Sequence, residues 1–255
     1  MSDLAPKLLE QVRRTFQTKR ANDKMLGSLY WAIQDGRADY ETVNRYAIRL
    51  GELLAESMKL KISASDLPDG RFYQELAEEL IAPLLTDNYE LISTAAVTAQ
   101  NAMNRAAGIG LKAVKPTINR NRVQGLVDKV SSYETYEKAA WVLDEPVVNF
   151  SQSVVDDAIR ENVAAQAGAG LRPTVTRIAE SGCCEWCSDL AGEYAYPVDR
   201  EVYRRHERCR CIVLFDPGKG KVQNVHSKVL YAEAEREARN ARIARIVEIE
   251  RGMRG

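Results

Sequence analysis

Five cysteines and one histidine fall within a single short window of this chain, and that window limits the possible folds more than any other feature. Reduced to its metal-binding residue types, it reads Cys-x2-Cys, then eighteen residues, then His-x2-Cys-x-Cys. A tetrahedral zinc site takes four nitrogen or sulfur ligands and holds neighbouring sulfurs about 3.8 Å apart. Two-residue spacers in tight turns reach that distance, so Cys184 with Cys187, and His206 with Cys209, are predicted to form two half-sites.

The ligand set stays open among Cys184, Cys187, His206, Cys209 and Cys211. In an extended strand Cys209 and Cys211 would share a face, with Cα atoms about 6.6 Å apart. Chelation by both is therefore less favoured than chelation by either one together with His206. The fifth cysteine, Cys183, is expected to point away from Cys184 and to take no part.

Three other uses explain these cysteines less well. Incidental burial does not explain why all five lie between positions 183 and 211. Disulfides suit an oxidising compartment, and the polar N-terminus shows no secretory signal. A thioredoxin-like pair needs a helix that opens at the motif, whereas a turn-rich run from Ser188 to Tyr194 is predicted there.

A structural zinc ion is favoured over a catalytic one because the available ligands close the coordination sphere. The deaminase signature places its glutamate differently from Glu207.

The rest of the chain is predicted to be mainly α. Apolar residues recur at helical spacing through the first two-thirds of the 255 residues, with a break expected at Pro83. The 36 basic and 36 acidic residues balance, which argues against a whole-molecule attraction to nucleic acid or anionic lipid. No apolar run is long enough to span a membrane.

The composition changes after Arg172-Pro173. Two short strands are predicted, at 174–178 and 211–215, because β-branched and apolar residues are enriched there. We therefore predict a helical body over residues 1–170, a small α+β zinc-binding module over 171–228 and a C-terminal helix over 229–255.

The cysteine window resembles that of the minor head proteins of tailed bacteriophages, the Mu F-like head-morphogenesis family. That family carries Cys-x2-Cys-x2-Leu-x-Gly followed by His-x2-Cys-Arg-Cys. The residues that match are Cys184, Cys187, Leu190, Gly192, His206, Cys209, Arg210 and Cys211. The runs 145–153 and 223–226 are also similar to minor capsid proteins, although Glu207 stands where the family has proline.

The resemblance implies a structural virion protein, assembled in the bacterial host cytoplasm. It would act in procapsid assembly, genome packaging or genome delivery, with the portal protein and the major capsid protein as partners and packaged DNA as a further candidate. Neither a membrane span nor a small-molecule substrate is expected.

Basic residues flank the metal motif and form a candidate surface for nucleic acid or a protein partner. They are Arg204, Arg205, Arg208 and Arg210. No phosphate-binding loop and no nucleophile elbow occurs, so we expect no enzyme activity. The alternative interpretation is a cytosolic DNA-binding or nuclease-associated zinc protein.

Overall fold

The computed structural model describes residues 4–218, and most of these residues are helical. The helices are α1 (Leu4–Asn22), α2 (Lys24–Gln34), α3 (Tyr40–Lys61), α4 (Gln74–Ala106), α5 (Arg120–Ser131), α6 (Tyr136–Ala139), α7 (Glu145–Gly168) and α8 (Glu185–Asp189). Short 3₁₀ turns occupy Ala64–Asp66, Pro68–Gly70 and Ala140–Leu143. The strands are β1 (Thr174–Ile178), β2 (Gly192–Ala195) and β3 (Ile212–Asp216). The prediction of a mainly α protein with a small C-terminal sheet is confirmed.

Helices α3 and α7 pack most closely at Gly51. A Cβ atom at this position would lie 2.7 Å from Ser151 Oγ and 2.9 Å from Val148 Cα, so only glycine permits the approach. Leu50 and Leu54 of α3 are completely buried beside this contact. The helical stripe predicted between Val43 and Met58 therefore forms the centre of the core.

Helix α4 runs unbroken through Pro83, where the sequence predicted an end. Proline lacks an N–H group and clashes with the preceding turn, which costs about 3 kcal/mol within a helix. Both sides of the proline nevertheless bury their apolar residues in the same core, as Leu80 and Leu84 show. The burial of this continuous stripe outweighs the local cost.

The connection between α4 and α5, residues 107–119, is an extended loop held in place by side chains of the helices. Asn162 of α7 accepts from the backbone N–H of Val114 and donates to its carbonyl, both at 2.8 Å. Asn104 donates to Leu111 O at 2.9 Å, and Asn101 accepts from Ala113 N at 2.9 Å. These amides satisfy backbone groups that secondary structure would otherwise pair.

The C-terminal sheet is antiparallel, in the order β2-β1-β3. Ile178 of β1 pairs with Ile212 of β3, which sets the register of the two long strands. Phe215 of β3 lies 5.6 Å from the Tyr40 ring of α3, so the sheet packs directly on the helices. Among residues 4–218, no helix has both the length and the apolar character needed to cross a membrane.

The predicted domain division at residue 170 remains a prediction. The predicted helix over 229–255, the end of the predicted module over 219–228 and the run 223–226 lie outside the described residues.

Candidate metal centre

The Cys-x2-Cys half-site is built on the short helix α8. Cys184 is the residue before the helix, with extended backbone, and Cys187 lies one turn further on. Cys184 is exposed and Cys187 is completely buried. The sequence predicted a turn-rich run after this motif, whereas the structure has a helical turn followed by β2.

The second half-site is a turn that brings Cys209 back beside His206. The N–H of Cys209 donates to the carbonyl of His206 at 3.3 Å. Arg208, inside this turn, has a φ of 58°, in the left-handed region that few non-glycine residues adopt. The reversal of the chain at Arg208 brings the two backbones together, but the ligand atom of His206 groups with Cys184 and Cys187, whereas the sulfur of Cys209 groups with Cys187 and Cys211.

The two half-sites meet at Cys187. Its sulfur lies 3.0 Å from His206 Nε2 and 3.7 Å from Cys209 Sγ, while Cys184 Sγ lies 3.3 Å from His206 Nε2. The ligand atoms of Cys184, Cys187 and His206 all lie within 4.8 Å of one another, as do those of Cys187, Cys209 and Cys211. These Cys and His groups are within metal-binding distance.

The orientation of His206 suits a metal ligand. Its Nδ1 lies 2.6 Å from the carbonyl oxygen of Glu207, which can only accept a hydrogen bond. Nδ1 therefore carries the proton, and Nε2 presents its lone pair to the two sulfurs. A backbone carbonyl that fixes the imidazole in this way is typical of metal-ligating histidines.

The spacing of the sulfurs also suits a metal ion. All five cysteines are free thiols. The separation of 3.7 Å between Cys187 and Cys209 is far longer than a disulfide bond and agrees with the edge of a tetrahedral site, about 3.8 Å. The sulfur and nitrogen donors and this separation thus suit a thiophilic cation, and the donors lie in two groups of three that share Cys187.

Burial works against thiolates in this cluster unless a cation is present. Burial raises the pKa of the Cys187 thiol. A hydrogen bond with Cys211, together with burial, raises the pKa of Cys209 to about 12, and the same hydrogen bond lowers the pKa of Cys211. A bound cation displaces such protons because the metal ligand is the thiolate.

The centre is tied to α7 by three polar contacts. Asn149 donates to the His206 carbonyl at 3.0 Å. Arg210 donates to both carboxylate oxygens of Glu145, at 3.1 and 3.0 Å. Arg205 forms an ion pair with Asp156. The helical body therefore fixes the position of the turn that carries His206 and Cys209.

A family model described as VG15 protein matches residues 34–235. The chain belongs to the VG15 protein family. This is a family of phage or viral gene products, and the matched region contains all five cysteines and His206. No curated protein and no solved structure matches the chain.

Within the VG15 family region, two of the arginines predicted to form a binding surface have side chains that are buried or mostly buried in the structure. The side chain of Arg205 is 2% exposed and paired with Asp156, and that of Arg210 is 23% exposed and paired with Glu145. Both hold the metal-binding segment on α7. Arg204 and Arg208 remain exposed, each near a neighbouring glutamate.

The structure also places Cys209 and Cys211 differently from the strand geometry expected. Strand β3 begins at Ile212, so both cysteines precede it, and both sulfurs reach Cys187. In the described part of the chain, Cys183 belongs to neither group of residues whose ligand atoms lie within metal-binding distance. It packs against the buried cysteines instead.

Sequence reasoning missed Arg177, which is 1% exposed beside this cluster. The alternation of β1 contained the signal, because Val175 and Arg177 must point to the same face of a strand. A charged residue on the inward face of a strand needs a partner, and the cysteine sulfurs lie on that side.

Proposed function

We propose that this VG15 family chain is a structural, non-catalytic phage protein that acts as a minor capsid or head-morphogenesis protein in the virion. Its task would be procapsid assembly, genome packaging or genome delivery, through contacts with the portal protein and the major capsid protein. The observation that carries this proposal is the family match over residues 34–235, which includes the complete Cys/His cluster.

We further propose that the cluster holds one structural zinc ion. Three features support this: the Nε2 lone pair of His206 faces the sulfurs, the separation of Cys187 and Cys209 suits a tetrahedral edge, and two groups of three donors share Cys187. A catalytic zinc ion keeps one position open to water, which a fourth protein ligand would close.

A zinc ion here would act on folding. The ion would join Cys187 of α8 to His206, two residues with eighteen others between them. Structural zinc sites in peptides contribute about 10–16 kcal/mol of binding free energy, which becomes folding free energy. The exposed Arg204 and Arg208 would then be presented on a rigid segment, where an acidic partner surface can meet them.

Co-expression of the full chain with portal and major capsid proteins tests the proposed role. We expect the wild-type chain to co-purify with portal rings and Cys187→Ser to be lost from them, while Cys183→Ser behaves as wild type. Failure of the wild-type chain to associate with portal or capsid would contradict the role. Retention on DNA that weakens steeply with salt would instead favour the DNA-binding alternative.

A further inference from the structure

Arg177 is the largest fully buried side chain in the described part of the molecule, and it points at the cysteine sulfurs. Its Nη2 lies 3.5 Å from Cys187 Sγ and 3.6 Å from Cys209 Sγ. These two sulfurs are themselves 3.7 Å apart, so the guanidinium nitrogen caps the edge that joins them.

The other terminal nitrogen is held by the backbone and the guanidinium packs against an aromatic ring, while Nε is buried and has no hydrogen-bond partner among the described residues. Nη1 donates to the carbonyls of Val202 and Arg204, the second at 2.9 Å. The guanidinium carbon lies 5.5 Å from the centre of the Trp186 ring. These contacts fix the direction of Nη2, but none of them supplies a negative charge.

The charge of Arg177 therefore has to be balanced by the sulfurs. Within residues 4–218, no carboxylate lies within ion-pair distance of Arg177, whereas Arg205 is paired with Asp156 and Arg210 with Glu145. A buried cation is tolerated only when it is paired. Three thiolates and one neutral histidine around a divalent cation leave one net negative charge, which a single guanidinium neutralises.

We propose that Arg177 is a positioning residue of the metal centre, whose Nη2 bridges the thiolates of Cys187 and Cys209 and fixes them as ligands together with Cys184 and His206. This inference rests on the proposed metal-binding function of the cluster. Cys187 belongs to both groups of donors within metal-binding distance, and of its two partners in the second group Cys209 is selected over Cys211 because its sulfur faces Arg177.

The bridge has two chemical consequences. An N–H donor withdraws electron density from a thiolate, which raises the energy of sulfur-to-metal charge transfer and makes the sulfur a weaker nucleophile. It also holds the two sulfurs at their ligating separation, so an ion that loses one ligand is recaptured before a chelator can remove it. Groups that orient metal ligands in this way typically change affinity by about 10–100-fold when removed.

The test uses the full chain loaded with Co²⁺, whose absorption reports on the ligands. Arg177→Met removes the donors and keeps the bulk of the side chain, while Arg177→Lys keeps the charge but loses the planar fork. Arg200→Gln is the matched control, because Arg200 is an exposed arginine of the same segment that contacts the hydroxyl and the ring of Tyr194. We compare the charge-transfer band and the rate of metal release to a chelator.

We expect Arg177→Met to shift the band to lower energy and to release the ion about 10–100-fold faster, with Arg177→Lys intermediate. Arg200→Gln should match wild type in both measurements. A wild-type band position in Arg177→Met, or release from Arg200→Gln as fast as from Arg177→Met, overturns the inference and leaves the metal site intact. If Arg177→Met does not fold, a wild-type band and release rate in Arg177→Lys overturn it. A wild-type chain that binds no Co²⁺ overturns both the inference and the proposed metal function.

Discussion

Arg205 and Asp156 form an ion pair that is closed to solvent, with side chains 2% and 1% exposed. Arg205 Nη2 lies 2.8 Å from Asp156 Oδ1, and Nη1 of the same arginine donates to the Cys211 carbonyl at 2.7 Å. One side chain thus joins the metal-binding segment to the centre of α7.

Replacing Asp156 by asparagine should destabilise the protein by about 3–5 kcal/mol, because it leaves the Arg205 guanidinium buried without a counter-charge. Urea unfolding followed by circular dichroism measures the change. Glu201→Gln is the control: it breaks the exposed pair with Arg204 and should cost no more than about 1 kcal/mol. Equal losses in the free energy of unfolding for the two variants would show that the buried pair contributes no more to stability than the exposed pair.

Substitution of alanine for Gly51 should destabilise the protein by about 1–3 kcal/mol, since the added methyl group forces α3 and α7 apart. The matched control is Gly125→Ala in α5, where nothing lies within 4 Å of the added Cβ atom. That change should stabilise by about 0.5–1 kcal/mol, because alanine loses less entropy in a helix. Thermal unfolding distinguishes them, and the same sign for both variants would contradict the close packing.

Metal content of single cysteine variants identifies the ligands. We expect one zinc ion per wild-type chain, lost in Cys184→Ser, Cys187→Ser and Cys209→Ser and kept in Cys211→Ser. Cys183→Ser is the control and should keep its ion, since Cys183 belongs to neither group within metal-binding distance. Elemental analysis of the purified proteins decides. Metal loss from Cys211→Ser with retention in Cys209→Ser would reverse the assignment of the fourth ligand.

The fluorescence of Trp186 should report on the metal. Its ring packs edge-on against His206, 5.8 Å between ring centres, and is 36% exposed. Removal of the ion by a chelator frees the imidazole and should change the emission of the wild-type chain. Trp186→Phe should abolish the change, whereas Trp31→Phe should preserve it. A chelator response that survives in Trp186→Phe would place the signal elsewhere.

The sequence predicts local features of this fold well where periodicity and burial agree. Strand β1 occupies the predicted residues 174–178, and β3 lies one residue from its predicted position. The prediction that the helix breaks at Pro83 was wrong. The sequence shows the local cost of a proline, but it does not show the neighbouring helices that bury the apolar residues on both sides of it. Helix propensity describes one segment at a time, while packing in the core determines whether that segment is helical in the folded protein.

The candidate site is predicted by sequence only as a set of ligand types and spacings. That Arg205 is buried and that Arg177 faces the sulfurs depends on where α7 and β1 meet the motif. Asp156 and Arg205 are 49 positions apart, and no local pattern connects them. From the sequence alone, a basic residue next to a metal ligand is predicted to lie on the surface, because the acidic residue that pairs with it is not known.

Helix α7 contacts the metal-binding segment through Asp156 and the loop 107–119 through Glu161 and Asn162. These contacts are made from different faces of the same helix, and successive residues of an α-helix are rotated by about 100°. Inserting one amino acid between Asp156 and Glu161 would therefore rotate one set of contacting side chains away from its partners while the other set kept its hydrogen bonds. The number of residues between these two sets of contacts on α7 is therefore fixed by the structure.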